Sequence, residues 1–301
     1  MKKILEVRNL KVHFELSSGL FKAKKVVHAV DGVNFNVFEG ETLGIVGESG
    51  CGKSSLARAL CGLNKITSGS ALFNGIDLAK ASSTQWDEVH KQMQFIFQDP
   101  VAALDPRMTV AEIIAEPLIT LYPQMKQTEV MEKVFATMKL VGLSKNQVNR
   151  YPQEFSGGQC QRIGIARALI LEPKVLICDE SVSALDVSIK AQIINLLQEL
   201  QQKLKLTILF ISHDLGVIKH ICNRILVMYL GNIMELGEKK TIYSNPLHPY
   251  TKALLSAVPV ANPELEKTKV VQLLEGELPS PVNPPRGCVF NTRCPIAVEE
   301  C

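Results

Sequence analysis

The sequence lacks an apolar segment long enough to cross a membrane. Its 301 residues contain no run of the roughly 18 to 20 uninterrupted apolar residues that a membrane-spanning helix needs. The first six residues, MKKILE, also place an acidic side chain too early for a signal peptide. Both absences argue against an integral membrane protein and against a secreted one. We therefore expect a soluble, cytoplasmic protein that meets a membrane only through partners.

The sequence also lacks a strong excess of one charge. Its 33 Lys and Arg residues against 30 Asp and Glu residues leave a formal net charge of +3. A nucleic-acid-binding domain usually carries a much stronger basic patch, and the short basic run at 22–25 is typical of a solvated loop. We therefore expect no nucleic-acid partner. The length exceeds that of one average domain and allows a sizeable core.

A glycine-rich loop between a predicted strand and a predicted helix is the first motif that carries chemistry. Residues 47–54 read GESGCGKS, the spacing of a phosphate-binding P-loop, and the apolar run 42–46 before them predicts a buried parallel strand. Glycines let backbone N–H groups turn around phosphates, and the helix N-terminus adds partial positive charge. We expect Lys53 to reach the β- and γ-phosphates and the Ser54 hydroxyl to bind Mg²⁺. A chance glycine-rich turn is the alternative, which the flanking strand and helix argue against. The candidate ATP-binding residues here are Gly47, Glu48, Ser49, Gly50, Cys51, Gly52, Lys53, Ser54 and Ser55.

Two further predicted strands end on residues suited to ATP chemistry. The strand at 174–178 leads into Asp179 and Glu180, at the carboxyl edge where ligands of doubly wound sheets bind. Asp179 suits a magnesium shell and Glu180 suits polarising the attacking water, whereas a solvated turn is the alternative. The strand at 206–211 leads to His213, which is placed to hydrogen-bond a γ-phosphate, although a lone His is more often structural.

A second candidate anion site precedes the predicted helix at 161–169. It consists of Ser156, Gly157, Gly158 and Gln159. A serine and two glycines before a helix can bind an anion through backbone N–H groups. Serine is also a preferred N-cap, so an ordinary helix cap is the alternative. Two anion sites in one chain are best explained as halves of two composite sites.

The order of these motifs resembles that of ATP-binding-cassette (ABC) ATPases. Six motifs match in order over about residues 4–240: the P-loop, Gln98 in FIFQDP, SGGQ at 156–159, Asp179-Glu180, SALD at 183–186, and His213. The resemblance implies an α/β P-loop NTPase cassette. Such a cassette has a RecA-like parallel-sheet core, an antiparallel β subdomain and a helical insertion.

The resemblance implies a dimer of cassettes with two ATP molecules between them. Residues 156–159 would then act on the nucleotide of the partner cassette, and Asp186 would lie at the dimer interface. Phe14 matches the position whose ring stacks on adenine, and a buried core Phe is the alternative.

The resemblance also implies the catalytic set. Gln98 would join Ser54 and Asp179 around Mg²⁺ and report the nucleotide state to a membrane subunit. Glu180, His213 and Gln98 are the implied catalytic residues.

The pattern of elements divides the chain into four regions. Residues 1–98 are an N-terminal β subdomain with the P-loop part of the core, 99–160 are a helical signature subdomain, 161–240 complete the ATPase core, and 241–301 are an extension. The extension carries NPLHPYTKALL and GELPSP, which resemble the carboxyl region of bacterial oligopeptide and dipeptide importer ATPases. The resemblance then spans essentially the whole chain.

Three of the eight cysteines lie close together in the extension. Cys288, Cys294 and Cys301 have the spacing C-x5-C-x6-C, and clustered thiolates suit a soft metal. The resemblance implies a [4Fe–4S] cluster here rather than zinc. Such a cluster needs four ligands, so we expect either a fourth one on a truncated tail or an incomplete site. Local structural cysteines are the alternative.

The function implied by the resemblance is ATP-driven peptide import. The chain would pair with a second ABC ATPase subunit, forming a heterodimer, and with two membrane permease subunits at the cytoplasmic face of the bacterial inner membrane. An extracytoplasmic peptide-binding protein would be an indirect partner. Oligopeptides are the expected cargo, with dipeptides or nickel as alternatives. A non-transport ABC ATPase of translation or DNA repair is a further alternative, although the chain has neither a second cassette nor a long coiled-coil insertion.

Overall fold

The computed structural model describes residues 2–16, 25–183, 185–259, 263–269 and 271–301. Residues 22–24 of the basic run and Ala184 of the SALD motif lie outside this part of the chain. The solvated loop predicted for the basic run therefore stays a prediction.

The described chain divides into two compact units. The first comprises residues 38–42 and 81–211, and the second comprises residues 2–37, 43–80 and 212–301.

The described residues form ten strands and ten α-helices. In chain order the strands are β1 (Lys3–Leu16), β2 (Lys25–Phe38), β3 (Thr42–Val46), β4 (Ser68–Phe73), β5 (Ile76–Asp77), β6 (Met93–Ile96), β7 (Val175–Asp179), β8 (Thr207–Ile211), β9 (Arg224–Tyr229) and β10 (Asn232–Glu238). The helices are α1 (Lys53–Leu60), α2 (Ser83–Gln92), α3 (Val110–Leu121), α4 (Gln127–Leu140), α5 (Gly157–Leu169), α6 (Val187–Leu204), α7 (Leu215–Ile221), α8 (Lys239–Ser244), α9 (Pro249–Ser256) and α10 (Pro263–Thr268). Short 3₁₀ helices cover Lys145–Gln147, Pro152–Glu154 and Asn291–Arg293.

The first unit is built on three parallel strands. The strand β7 pairs with β6 on one side and β8 on the other, with Cys178 opposite both Ile96 and Phe210. Every residue of β7 and β8 is buried, as expected for strands covered on both faces. The helices α3, α4 and α5 pack on one another. Two of them begin with a capping box, Thr109 with Glu112 in α3 and Ser156 with Gln159 in α5.

The second unit contains an antiparallel sheet and a mixed group of strands. The sheet has the order β2-β1-β4-β5, and β1 pairs antiparallel with β4. In the mixed group, β3 runs parallel to β9, and β10 runs antiparallel to β9. The antiparallel subdomain, the parallel core strands and the helical insertion that the sequence predicts are confirmed. The four domain boundaries stay a prediction.

Among the described residues, none of the helices combines the length and the apolar composition that a membrane crossing requires.

Candidate nucleotide-binding site

The P-loop joins the buried strand β3 to the start of α1. All five residues of β3 are buried, and Gly52 stands at the helix N-cap with a φ of 103°. The side chain of Lys53 is turned into the loop, where its Nζ donates hydrogen bonds of 2.9 Å to the carbonyls of Gly47 and Glu48. The loop therefore holds a buried ammonium group at its centre, the position from which a P-loop lysine meets phosphate.

Two glycines of the loop have no room for a side chain. A Cβ atom on Gly47 would lie 2.1 Å from the Met228 carbonyl oxygen, and one on Gly52 would lie 2.0 Å from the Ala29 carbonyl oxygen. Both residues also have positive φ values that L side chains rarely adopt. The glycine spacing thus reflects close backbone approach from β2 and from the end of β9. The other loop residues differ in exposure, since Cys51 is buried, Glu48, Ser54 and Ser55 are half-buried, and Ser49 and Gly50 are exposed.

The residue before His213 is tied to the strand that leads into the P-loop. The Ser212 backbone N–H donates to the Ile45 carbonyl at 3.2 Å. His213 itself is exposed, and the next residue, Asp214, caps α7 by accepting from the Val217 N–H. His213 thus emerges at the end of β3 that carries the loop.

In the first unit, the structure brings Gln98 and Glu180 together. The Gln98 Nε2 donates to the Glu180 Oε2 at 2.9 Å. The strand register explains this contact, because Ile96 lies opposite Cys178, and Gln98 and Glu180 each lie two residues beyond that pair. Glu180 has a φ of 45°, in the left-handed region that non-glycine residues rarely occupy. Such local strain is commonly found at functional positions.

The neighbouring carboxylate is buried where β7 ends. Asp179 has a relative exposure of 1%. The backbone N–H of Glu180 donates to the Ile211 carbonyl of β8, so the two acids are held at the carboxyl edge of the three parallel strands. A buried carboxylate at this edge suits a metal shell, as the sequence predicts for Asp179.

The predicted signature residues form the first turn of α5. The Ser156 N–H donates to Gln159 Oε1 at 3.1 Å, and the Ser156 Oγ accepts from the Gln159 N–H at 3.4 Å. A Cβ atom on Gly158 would lie 2.4 Å from Ile189 Cγ2, whereas one on Gly157 would be 3.7 Å from the nearest atom, in Leu185. Gly158 is therefore required for packing α5 against α6, a role that the sequence did not indicate.

Two of the predicted residues lie on the surface of their units. Phe14 is 38% exposed at the end of β1, which removes the alternative of a buried core Phe. Asp186 is exposed at the N-cap of α6 and makes no side-chain cap bond there. Both side chains are accessible, as the base-stacking and interface roles require.

The three tail cysteines are not arranged as a metal-ligand set. All are free and half-buried, and the backbone N–H of Cys288 donates to the Cys301 carbonyl at 2.6 Å. Among the described residues, their sulfurs do not form a group whose ligand atoms lie within 4.8 Å of one another. Thiolates around one tetrahedral zinc ion would be only about 3.8 Å apart. The three thiols therefore do not form a site for a single ion. Nothing in their arrangement supports the [4Fe–4S] prediction either, for which three thiols are one short of the four ligands.

The extension contacts the P-loop directly, which the sequence did not predict. The Arg293 Nη1 lies 3.0 Å from Glu48 Oε2, and the Tyr250 hydroxyl accepts from the Glu48 N–H at 2.9 Å. The rings of Tyr229, Tyr250 and Phe290 are mutually packed beside these contacts, with centroids 4.8 to 5.4 Å apart. Residues more than 200 positions downstream thus brace the second residue of the loop.

Comparisons with known proteins agree with this architecture. Residues 30–183 match the family model for the ABC transporter, and residues 234–301 match the model for the oligopeptide/dipeptide transporter C-terminal region. The chain belongs to the ABC transporter family.

Similarity to individual ABC transporter proteins covers nearly the whole chain. The oligopeptide transport ATP-binding protein OppF of Escherichia coli K12 is 61% identical over 303 residues, covering 100% of this chain and 91% of that protein. The oligopeptide transport ATP-binding protein AppF of Bacillus subtilis is 54% identical, covering 99% of this chain and 91% of that protein. A dimeric structure of MJ0796, a bacterial ABC transporter cassette, aligns with a TM-score of 0.69 and 27% identity over 78% of this chain and 98% of that chain.

The residues of the extension that contact or pack beside Glu48 lie within the part of the chain that matches the C-terminal family model. Tyr250, Phe290 and Arg293 all lie within 234–301. No local pattern could have indicated their contact with Glu48, because the partners lie 202 and 245 positions apart.

Proposed function

We propose that this chain is the ATP-hydrolysing subunit of a bacterial oligopeptide importer. The observation that carries this proposal is the continuous similarity to oligopeptide transport ATP-binding proteins, which runs from the P-loop through the extension without a missing region. The packing of that extension on the P-loop also supports the proposal, because it ties the C-terminal region typical of these transporters to the nucleotide-binding loop.

Within this function, the P-loop residues bind the phosphates of ATP. Lys53 would exchange its contacts with the loop carbonyls for the β- and γ-phosphates, and Phe14 would stack on adenine. The donor set of Ser54, Gln98 and Asp179 offers oxygen ligands, which fit Mg²⁺. The ion supplies charge neutralisation for the phosphates when bound.

Glu180 would polarise the attacking water. The Gln98 amide donates to its carboxylate and so holds one of its oxygens in a fixed direction. A positioned carboxylate can act as a general base in this way. His213 would hydrogen-bond the γ-phosphate.

The functional assembly would be a dimer of cassettes. Ser156, Gly157, Gly158 and Gln159 would act on the nucleotide of the partner, and Asp186 would lie at the interface. The exposure of Asp186 and the dimeric structure of the related MJ0796 cassette support this arrangement. We infer a heterodimer that joins two membrane permease subunits on the cytoplasmic face of the inner membrane. The helical region 99–160 would receive those subunits, and an extracytoplasmic binding protein would deliver the peptide.

The test is reconstituted transport. The chain would be purified with its partner ATPase and permease subunits and placed in vesicles that contain the binding protein. We expect ATP-dependent uptake of labelled tri- to pentapeptides above that of dipeptides, and no uptake of nickel. Preferred uptake of dipeptides would change the assigned cargo from oligopeptides to dipeptides. One related protein is a di/tripeptide transport ATP-binding protein. ATP hydrolysis that no cargo or permease stimulates would overturn the transport function.

The iron–sulfur cluster stays a separate prediction with no support from the arrangement of Cys288, Cys294 and Cys301. Iron and sulfide analysis of the anaerobically purified chain tests it. Absence of both would remove the cluster, and stoichiometric zinc would indicate a different metal. The ATP chemistry proposed above does not depend on the result.

A further inference from the structure

Two histidines and an aspartate that have no assigned role in ATP chemistry meet on the antiparallel sheet. His13 lies on β1, and His28 and Asp31 lie on the adjacent strand β2. One ligand atom from each of the three residues lies within 4.8 Å of the other two. The imidazole rings are 4.3 Å apart between centroids and tilted by 53°. No motif in the sequence indicated this cluster, because the residues come from two strands.

Two nitrogen–oxygen distances in the cluster, each to a different oxygen of Asp31, are close to those around a tetrahedral metal ion. The His13 Nε2 lies 3.2 Å from Asp31 Oδ1, and the His28 Nδ1 lies 3.5 Å from Asp31 Oδ2. Nitrogen and oxygen ligands 2.0 to 2.2 Å from a tetrahedral zinc ion are themselves about 3.3 to 3.5 Å apart. Two imidazoles and one carboxylate are also a common zinc donor set, which leaves a fourth position for water.

The ligand atoms are in a suitable state to bind. The His28 Nδ1 is buried and makes no hydrogen bond. The Asp31 carboxylate lies beside both imidazoles. The side chains are 17 to 32% exposed, which leaves a route for an ion to enter.

A cation already contacts this carboxylate. The Lys11 Nζ lies 2.8 Å from Asp31 Oδ1, and the lysine side chain is 35% exposed. An incoming ion would displace this ammonium group, which can turn into solvent. Lys11 therefore competes for the same oxygen and sets the affinity of the cluster.

We propose that His13, His28 and Asp31 form a binding site for a divalent transition-metal ion of the zinc type. Imidazole nitrogens favour zinc, cobalt, nickel and copper over magnesium or calcium, which prefer oxygen ligands. The site borders the P-loop through the backbone, since the Ala29 carbonyl lies against Gly52. The Asp31 N–H also donates to the carbonyl of Gly231, whose own N–H donates to the Cys51 carbonyl of the loop. A bound ion would join β1 to the segment of β2 on which the P-loop packs.

The experiment uses Co²⁺ as a spectroscopic probe on the full chain without nucleotide, in a non-chelating reductant, followed by displacement with Zn²⁺. We expect saturable uptake of one ion with visible bands of a tetrahedral nitrogen and oxygen site. Losing a ligand, in His13→Gln or His28→Gln, should weaken binding by about 10- to 100-fold or more. The variant His90→Gln, which removes an imidazole on α2, should bind as the unaltered chain does.

Lys11→Gln provides a variant with the opposite expected effect. Removing the competing ammonium group should tighten Co²⁺ binding by about tenfold, while a site elsewhere would not respond. The proposal is overturned if neither the unaltered chain nor Lys11→Gln takes up the ion. It is also overturned if uptake persists in both histidine variants, or if the bands are those of thiolate ligation, which would assign the ion to the tail cysteines.

Discussion

The guanidinium of Arg293 forms an ion pair with the carboxylate of Glu48, the second residue of the P-loop. Its Nη1 lies 3.0 Å from Oε2 and 3.3 Å from Oε1 of that carboxylate, and the arginine side chain is only 9% exposed. The same Nη1 reaches the Tyr229 hydroxyl at 3.5 Å. Because one end of the pair lies in the C-terminal region and the other in the P-loop, the extension fixes one wall of the nucleotide-binding loop.

Replacing Arg293 by Gln should loosen the P-loop. A hydrogen bond to a charged group contributes about 1.5 to 3 kcal/mol, and the partial exposure of Glu48 places the loss here at the lower end. We expect faster amide exchange at residues 47–52 and weaker ATP binding. Hydrogen exchange with mass spectrometry, with and without nucleotide, measures both.

The control for this change is Arg286→Gln, which removes an exposed arginine of the same tail. It should leave exchange in the loop unaltered. Equal protection of the loop in the Arg293→Gln and unaltered proteins would show that the ion pair does not brace it.

Replacing Glu180 by Gln should preserve ATP binding and reduce turnover by roughly 100-fold or more, the scale of a positioned general base. The shape of the side chain and its contact with Gln98 can be kept, since an amide oxygen still accepts a hydrogen bond. Single-turnover hydrolysis measures the effect, in a dimer whose other cassette cannot hydrolyse ATP. The control is Glu199→Gln on the exposed face of α6. Near-normal turnover at the altered site would assign the general base elsewhere.

Replacing Gly158 by Ala should destabilise the chain itself. The new Cβ would lie 2.4 Å from Ile189 Cγ2, and a β-branched side chain cannot move aside easily. Overpacking of this kind costs about 1 to 3 kcal/mol in the free energy of unfolding. Urea denaturation measures it.

Two companion variants separate this packing effect from other causes. Gly157→Ala places its Cβ in ordinary contact, at 3.7 Å, and should cost little. The double variant Gly158→Ala with Ile189→Ala should recover part of the loss. If the effects of the two substitutions on the free energy of unfolding are simply additive, then Ile189 is not the residue that excludes a side chain at position 158.

The stability of the extension should fall below about pH 6.5 because of His248. Burial lowers the pKa of His248, although the charge of Glu235 acts in the opposite direction. The unfolded chain therefore binds a proton at a higher pH than the folded chain does, so stability is lost as the pH falls through the unfolded value. The neutral His248 Nδ1 also accepts from the Tyr250 N–H at the start of α9.

The variant His248→Asn isolates this contribution, because asparagine can cap α9 without titrating in this range. Urea midpoints at pH 7.5 and 5.5 should differ less in the variant than in the unaltered protein. An equal pH dependence in both proteins would assign the titration to other groups.

Several features were predictable from sequence because each depends on local chain geometry. A strand, a glycine-rich turn and a helix start are adjacent in the chain, so the P-loop around Lys53 could be recognised directly. Glu180 follows a predicted apolar strand, whereas Gln98 was recognised only through the resemblance to the family. Their hydrogen bond needed the register of β6 and β7.

Other features needed the folded chain because they join distant segments. Nothing local to Glu48 indicates Arg293, and nothing local to Gly158 indicates Ile189, since each contact forms only when separate elements pack. For the cysteines of the tail, the sequence indicated a site that the structure does not support. Their spacing indicated a metal site, but backbone bonds such as that from Cys288 to Cys301 set where the thiols lie.

The sequence alone determined the family of motifs, the parallel core and the identity of the nucleotide loop, because these follow from hydrophobic patterns and residue types that are contiguous along the chain. The folded chain was needed to show which side chains brace that loop and that His13, His28 and Asp31 meet on one sheet. The physical reason is that a contact between distant residues depends on strand register and packing geometry, neither of which is encoded in any short segment.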